Sequence, residues 1–564
     1  MNNIKYFAKN LLLLSLFLLS GFLISCSEDF LEVEPRDQLS DISVFSDESG
    51  ADLFLLDIYN NLPDAEKLGG YHYDPFEAWG DNAVCRFSWS ISWQKGVSRD
   101  YGPNTYNPGL YNHDYPALPF IYDRMYNFIR KCNLFIKKVN ENSNNFSQEW
   151  MQTRVAEARF LRAYYYHLAW MAYGGLPLIE EPLNRIEMGD SIFYPRATSD
   201  QTFEFIQKEL SEISDILPDE VGKGRATRGA ALALKGWCEL FAGRYEDAAQ
   251  TNLTIFMSGT YNLFNDYNAQ FLMENNNNEE SIFAYQHYPA SKPSGREDFF
   301  GPKGSYGGWG AMQPTQDLVD AYPMANGLPI TYPGSGYDPD HPYKNRDPRF
   351  YESIIYDGST FAGKTYSLKT GDLYDPNNEH QSGYFRRKGI GEHFTQATFT
   401  QNGANYIFFR YAEVLLNFAE AMIESNQLGD PGDYGAVLFA INAVRLRGGI
   451  PTIEESYGKS NFSQQELREI VRNERRIEFA FENKRYWDLI RWRTAETILN
   501  QPVHGMRWNF ATNKYEKFVI HTFEFNKNKH YLFPMYQGWL DANPVMKAQN
   551  GGPDGWVNGQ NPGY

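Results

Sequence analysis

The chain has 564 residues, a formal net charge of −18 and an aromatic content of 16%. That acidity excludes a phosphate-binding nucleic-acid surface, which needs the opposite sign, and offers no steering toward an anionic membrane face. The length is ample for a large core, and after residue 24 no apolar run reaches the roughly 20 residues that a spanning helix needs.

The chain opens on a short basic segment with Lys5 and Lys9, followed by an almost wholly apolar run from Leu11 to Ile24. This is the pattern and length of a secretory signal rather than of a spanning helix. Leu23-Ile24-Ser25-Cys26 resembles the lipobox of bacterial lipoproteins. The resemblance implies cleavage of residues 1–25, lipidation of Cys26, and a tether over residues 26–45. Attachment to the membrane would then be through lipid. An ordinary cleaved signal with Cys26 incidental is the plain alternative. Losing Lys5 and Lys9 takes the mature chain to about −20. Ser27-Glu28-Asp29 resembles the acidic export tag of Bacteroidota surface lipoproteins, or is a solvated linker.

Residues 46–564 read as a single domain. A first helix is expected over 44–61, with Leu53, Leu56 and Tyr59 near helical spacing. Residues 63–118 are dense in Gly, Pro, Tyr and Trp without periodicity and read as a loop region. Apolar residues at three-to-four spacing predict helices over 120–140 and 149–173. Gly174-Gly175 and Pro177 stop the second of these. Another amphipathic helix covers 200–216. Helices over 227–242 and from Tyr245 onward form a pair, and their Gly243-x-Tyr245-x-x-Ala248 junction resembles a tetratricopeptide turn. A second pair is expected over 409–423 and 435–447. Between the pairs, 259–400 is rich in Gly, Pro, Asn and Tyr and reads as irregular, with short strands such as Ser281 to Tyr285. Ser463-x-x-Glu466 is a capping box that opens the last long helix, with Leu467, Ile470, Val471, Ile477 and Phe481 as its apolar stripe. Past residue 540 the chain should wrap the surface. The expected fold is mostly α: helix pairs around 120–258 and 405–500 packed against a loop-rich region with short β-strands.

Few residues invite catalysis. Glu474, Glu478 and Glu482 beside Arg475, Arg476 and Arg485 would be the acid–base candidates. Carboxylates one turn apart on a packed helix suit ion pairing better, for example Arg475 with Glu478 at i,i+3. Glu413, Glu420 and Glu157 with Arg159 and Arg162 read the same way. There is no phosphate loop, zinc-protease motif or nucleophile elbow, so no catalytic residue, metal ligand or cofactor is assigned. Asp375-Pro-Asn-Asn378 carries calcium-type donors, a signal too common to assign a structural ion. Cys85, Cys132 and Cys238 have no metal-type spacing and read as buried thiols, with one disulfide left open. The loop aromatics are the binding candidates, because Trp and Tyr faces stack on sugar C–H faces while polar neighbours hold hydroxyls. One set is Trp79, Asp81, Arg86, Trp89 and Trp93. The other is Tyr285, Tyr288, Tyr306 and Trp309, the last flanked by glycines that would leave its face open. Trp170, Trp237, Trp487 and Trp492 fall on expected helices and read as core.

Several blocks in order resemble the SusD/RagB family of outer-membrane nutrient-uptake lipoproteins. They are Cys26 to Leu31, Glu157 to Tyr164 with Gly174 to Leu178, Arg228 to Leu234, Gln316 to Asp320, and Arg346 to Phe350. Further along come Arg410 to Leu416, Asn442 to Arg447, Glu474 to Glu482, Arg485 to Trp492, and Gln560 to Tyr564. Phe533 to Gln537 fits the family pattern only in part. The resemblance implies a tetratricopeptide-like helical fold and a surface-exposed, lipid-anchored place at the cell outer membrane. It also implies a non-enzymatic role: capture of an oligosaccharide or other nutrient for a SusC-like TonB-dependent transporter. A structural lid with little ligand affinity, and a surface glycoside hydrolase, are the other readings.

Overall fold

A computed structural model describes residues 44–63, 76–86, 122–220, 224–376 and 381–564. The leader, Cys26, the tether, Trp89 and Trp93 lie outside the described residues. The long helices are α1 (Glu48–Asn60), α2 (Tyr122–Glu141), α3 (Gln148–Tyr173), α4 (Ser199–Ser214) and α5 (Arg228–Phe241), then α6 (Tyr245–Ser258), α7 (Tyr411–Glu424), α8 (Pro431–Arg447), α9 (Gln464–Glu478) and α10 (Arg485–Arg491).

Their starts follow from side-chain caps that satisfy the first free backbone N–H groups. Asp47 accepts from Gly50 N at α1, and Thr227 from Ala230 N at α5. Reciprocal capping boxes open α4 (Thr198 with Gln201) and α9 (Ser463 with Glu466). Asp430 caps α8 and Pro431 occupies its first turn, so this helix begins four residues before the periodicity suggests. Gly174, at φ +72°, ends α3 as expected. By contrast, α9 stops at Glu478. Phe481 is not on its stripe but sits at φ +66° in the turn that follows, buried with Ile477 in the core of the loop-rich lobe.

Each helix from α2 to α7 packs on the next, and α7 also packs on α8 and α9. α7 is covered on all sides, which is why it is apolar nearly all round. Where α5 and α6 meet, a Cβ on Gly236 would come within 2.6 Å of the Asn252 side-chain amide, so the close approach requires glycine.

The 259–400 region is less irregular than its composition suggests. It contains short helices at Arg296–Phe300, Gln316–Ala321 and Pro348–Ser353, and a hydrophobic core of its own. Strand β1 (Ala83–Cys85) pairs antiparallel with β3 (Met312–Pro314). β2 (Ser281–Tyr285) pairs with β4 (Tyr406–Arg410), which runs straight into α7. A hairpin of β5 (Pro502–Asn509) and β6 (Lys514–Thr522) was not expected from the sequence. Much of the aromatic surplus packs inside this lobe: Tyr343 stacks with Phe350 at 6.1 Å and meets Tyr356, Tyr384 and Tyr515.

The C-terminal segment is tied back onto α3. Buried Arg196 donates to the carbonyls of Tyr173, Gly175 and Gly559 and to Asn561 Oδ1, all at 2.7–2.8 Å.

Cys85, Cys132 and Cys238 are buried free thiols. Burial pushes the Cys132 and Cys238 thiols well up, so the reactive thiolate is scarce. A chromogenic thiol reagent should therefore titrate none of the three within minutes in the native chain, and all three in denaturant. A fast native reaction would contradict their placement.

Candidate functional site

α9 and the turn after it bring Glu474, Glu478 and Glu482 to the seam between helices and lobe, where they meet cations from both. Glu478 accepts from Arg410 Nη1 at 2.7 Å, from Arg349 Nη1 at 2.9 Å, and from Arg447. Glu482 accepts from Arg410 and Lys388, and Glu280 from Arg410 and Arg447. Burial alone would raise the Glu478 carboxyl. Arg447, Arg410 and Arg349 outweigh that effect and hold it well below the usual carboxylate range. Glu478 and Glu482 are sealed acceptors with no proton to donate and no room for a substrate. The partners differ from the i,i+3 expectation: Arg475 pairs with Asp488 at 3.2 Å and Glu420 at 3.5 Å, not with Glu478. The remaining acid–base candidates are also ion-paired. Glu413 meets Lys484, Glu420 meets Arg491, Glu157 meets Arg154 and Arg225, and Arg159 and Arg162 both reach Glu209 on α4.

The loop candidates divide by burial. Trp79 is 0% exposed, edge-on to Tyr486 at 5.5 Å and close to Phe533 at 5.8 Å. Asp81 is tied to Arg485 at 2.7 Å and Arg476 at 2.8 Å. Tyr306 donates its hydroxyl to Gly391 O at 2.8 Å between Phe361 and Phe399. Tyr285 is buried with its hydroxyl on Asn60 O at 3.3 Å. These four are packed into the fold; Trp79, Asp81 and Tyr306 do not present the open stacking face expected of them, and Tyr285 shows only an edge to the groove that Tyr288 lines. Trp170, Trp237 and Trp487 are core as expected, whereas Trp492 is only half-buried, its indole N–H on Glu420.

Trp309 is the exception. It is 52% exposed, yet firmly mounted. Its backbone N–H donates to Asp298 O at 2.7 Å and its carbonyl accepts from Arg86 Nη1 at 3.1 Å. Its side chain bonds the Asp298 carboxyl, which burial raises and this bond partly lowers. Arg86 and Trp309, from the two aromatic loop regions, are thus brought together. The glycines around Trp309 serve a different purpose from the one expected. A Cβ on Gly308 would lie 2.2 Å from Gly301 O, and one on Gly310 (φ +57°) 2.6 Å from the Phe385 ring, so they let the loop close on itself. Tyr288 is also exposed. With Lys292, Leu53 and Leu56 it lines a separate groove of about 460 Å³. Leu53 and Leu56, whose helical spacing marked α1 in the sequence, are on its exposed side, because spacing alone does not say which apolar face is covered.

An indole fixed by its own hydrogen bonds beside a guanidinium can stack on a ring and hold a hydroxyl at little entropic cost. Among the described residues no group of three His, Cys, Asp or Glu side chains could hold a metal ion, and Asn377 and Asn378 of the expected calcium-type loop lie outside them.

Residues 264–556 match the family model described as the SusD family, and residues 29–236 match one described as starch-binding associating with outer membrane. The chain is 25% identical over 524 residues to a SusD-like protein of Formosa agariphila, covering 88% of this chain and 94% of the relative. It is 26% identical over 391 residues to a SusD-like protein of Bacteroides ovatus, covering 65% and 64%. A SusD-like carbohydrate binding protein of Bacteroides fragilis superposes with a TM-score of 0.74 at 26% identity, over 89% of this chain and 99% of that one. A laminarin binding SusD-like protein shares the fold, with a TM-score of 0.65 at 22% identity, over 92% and 100%.

Proposed function

We propose, from the premise that this chain belongs to the SusD family, that it is a lipid-anchored, non-catalytic lipoprotein of the outer membrane that captures an oligosaccharide or polysaccharide. It hands that cargo to a SusC-like TonB-dependent transporter over which it sits. The observation that carries the reading is Trp309: a half-exposed indole, hydrogen-bonded to Asp298 and braced by Arg86, where among the described candidates Trp79, Tyr285 and Tyr306 are internal. The relatives support it, one being a carbohydrate binding protein and another a laminarin binding one. The absence of catalysis is supported by the candidate carboxylates, which are consumed in buried ion pairs. The leader and Cys26 support the anchor, and no described helix is long and apolar enough to cross a membrane.

The test is a binding screen of the chain started at Ser27 against a polysaccharide panel, by affinity gel and calorimetry, beside Trp309→Ala. One glycan should bind the wild type, and the substitution should weaken it by about 2 kcal/mol or more, the usual cost of removing an aromatic anchor. Binding that survives Trp309→Ala sinks the assignment of the platform. A chain that binds nothing favours the structural-lid reading.

A further inference from the structure

We propose a second ligand site, for a cationic amino sugar, in a cavity of about 480 Å³ between α9, the end of α8 and the loop over 323–332. It shares no residue with the Trp309 platform and does not rest on that reading.

The cavity is built on a buried guanidinium. Arg445 donates to Glu474, to Ser456 Oγ and to the carbonyls of Gly327 and Pro451. Gly327 sits at φ +78°, and a Cβ there would lie 2.3 Å from Arg445 Nη2, so the loop needs glycine to close onto it. The loop then turns back at Tyr332, whose N–H donates to Pro329 O at 2.9 Å and whose carbonyl accepts from Ser335 N at 3.0 Å. The Tyr332 side chain is 42% exposed, and its ring meets that of Tyr457 edge-on at 5.1 Å. Neither hydroxyl has a partner among the described residues, and neither is sealed from solvent.

The charges decide what fits. Four carboxylates line the cavity. Glu474 is bound by Arg349 and Arg445, Asp320 by Lys517, and Glu466 by Lys459. Glu469 meets no cation among the described residues and accepts from Gln465 Nε2 at 2.7 Å. By itself it would be an ordinary surface acid. What marks it is the arrangement one turn earlier on α9. There Lys459 lies 4.7 Å over the Phe462 ring and pairs with Glu466, so that a carboxylate and an aromatic face hold an ammonium between them. Glu469 and the Tyr332–Tyr457 pair repeat those parts three residues further on, with no lysine or arginine of the chain set among them. Both glutamates are close enough to the Tyr457 hydroxyl to act on its charge. Asn473 donates its amide to Ala321 O and leaves its Oδ1 without a donor. An ammonium matches Glu469, a sugar ring matches the tyrosine faces, and hydroxyls match the open acceptors. An anionic sugar would meet four carboxylates and is excluded.

An acidic chain attracts any cation weakly, so the test separates the site from general charge. It uses the chain started at Ser27 and calorimetry at low salt, at a pH where amines are charged. The probes are a glucosamine trimer, the N-acetylglucosamine trimer and trilysine. The glucosamine trimer should bind. Its acetylated counterpart, with the same rings and no charge, should bind at least about fivefold more weakly, and so should trilysine. Glu469→Gln and Tyr332→Ala should each weaken the glucosamine trimer by about fivefold, the upper range for an exposed ion pair and for an exposed cation–π contact. Tyr332→Phe should keep most of the binding, and Trp309→Ala all of it. Thermal melts matching the wild type show that the variants are folded. Trilysine binding as tightly as the sugar means that charge alone is read, and overturns the proposal. So do equal binding of the acetylated trimer, no binding of the glucosamine trimer, and an unaffected Glu469→Gln or Tyr332→Ala. An equal loss from the exposed control Glu187→Gln, or a loss from Trp309→Ala, places the sugar elsewhere and overturns it too.

Discussion

Replacing Arg410 with alanine should destabilise the chain by about 3–5 kcal/mol, the usual cost of breaking a buried ion pair from one side. Its guanidinium serves Glu280, Glu478 and Glu482 at 2.6–2.7 Å in a place sealed from water. Removing it leaves three carboxylates to share Arg349, Arg447 and Lys388. Urea unfolding followed by tryptophan emission measures the loss. The penalty should shrink in acid. The Glu478 carboxyl is held below its ordinary value of 4.5, so the network contributes fully above that pH and fades as pH falls through the folded value. In the variant the stranded carboxylates can take up protons instead, which closes the gap from the other side. Adding Glu482→Gln should recover part of the loss, because the two residues share partners. A penalty under about 1 kcal/mol would mean that water reaches the seam.

Trp79→Ala is the second large effect, and its sign of failure is different. The ring is fully enclosed by Tyr486 and Phe533, so truncation opens a cavity and should cost about 3–5 kcal/mol. The glycan affinity of the folded fraction should not change. Trp309→Ala should show the reverse: stability within about 0.5 kcal/mol of wild type, as for surface changes, and binding lost. If Trp79→Ala instead lost affinity at unchanged stability, the ring would have to face a ligand.

The helical half of the fold was legible because its signals are local. The capping box at Ser463, the Gly174 stop and the tight turn at Gly243 each act within a few residues. The hairpin of β5 and β6 escaped because most of its side chains are half-exposed on both faces, so no two-residue alternation marks it. The site was only partly legible for a related reason. Residue type says that Trp79 and Trp309 could each stack on a sugar. Only long-range packing says that one meets Tyr486 and the other meets solvent. The charged clusters were correctly read as ion pairs, yet their partners were not, since Arg159 and Arg162 reach across to Glu209 on another helix.

The clasp built on Arg196 has a consequence for how the molecule comes into being. Synthesis delivers Arg196 long before its acceptor Gly559 O, which lies 363 residues further along. Until that tail emerges, Arg196 can reach the carbonyls of Tyr173 and Gly175, but the final tie between the helices and the terminus cannot be made. The clasp stays open while the 363 residues between its two ends are made. The tie that finishes the structure is therefore among the last that synthesis permits.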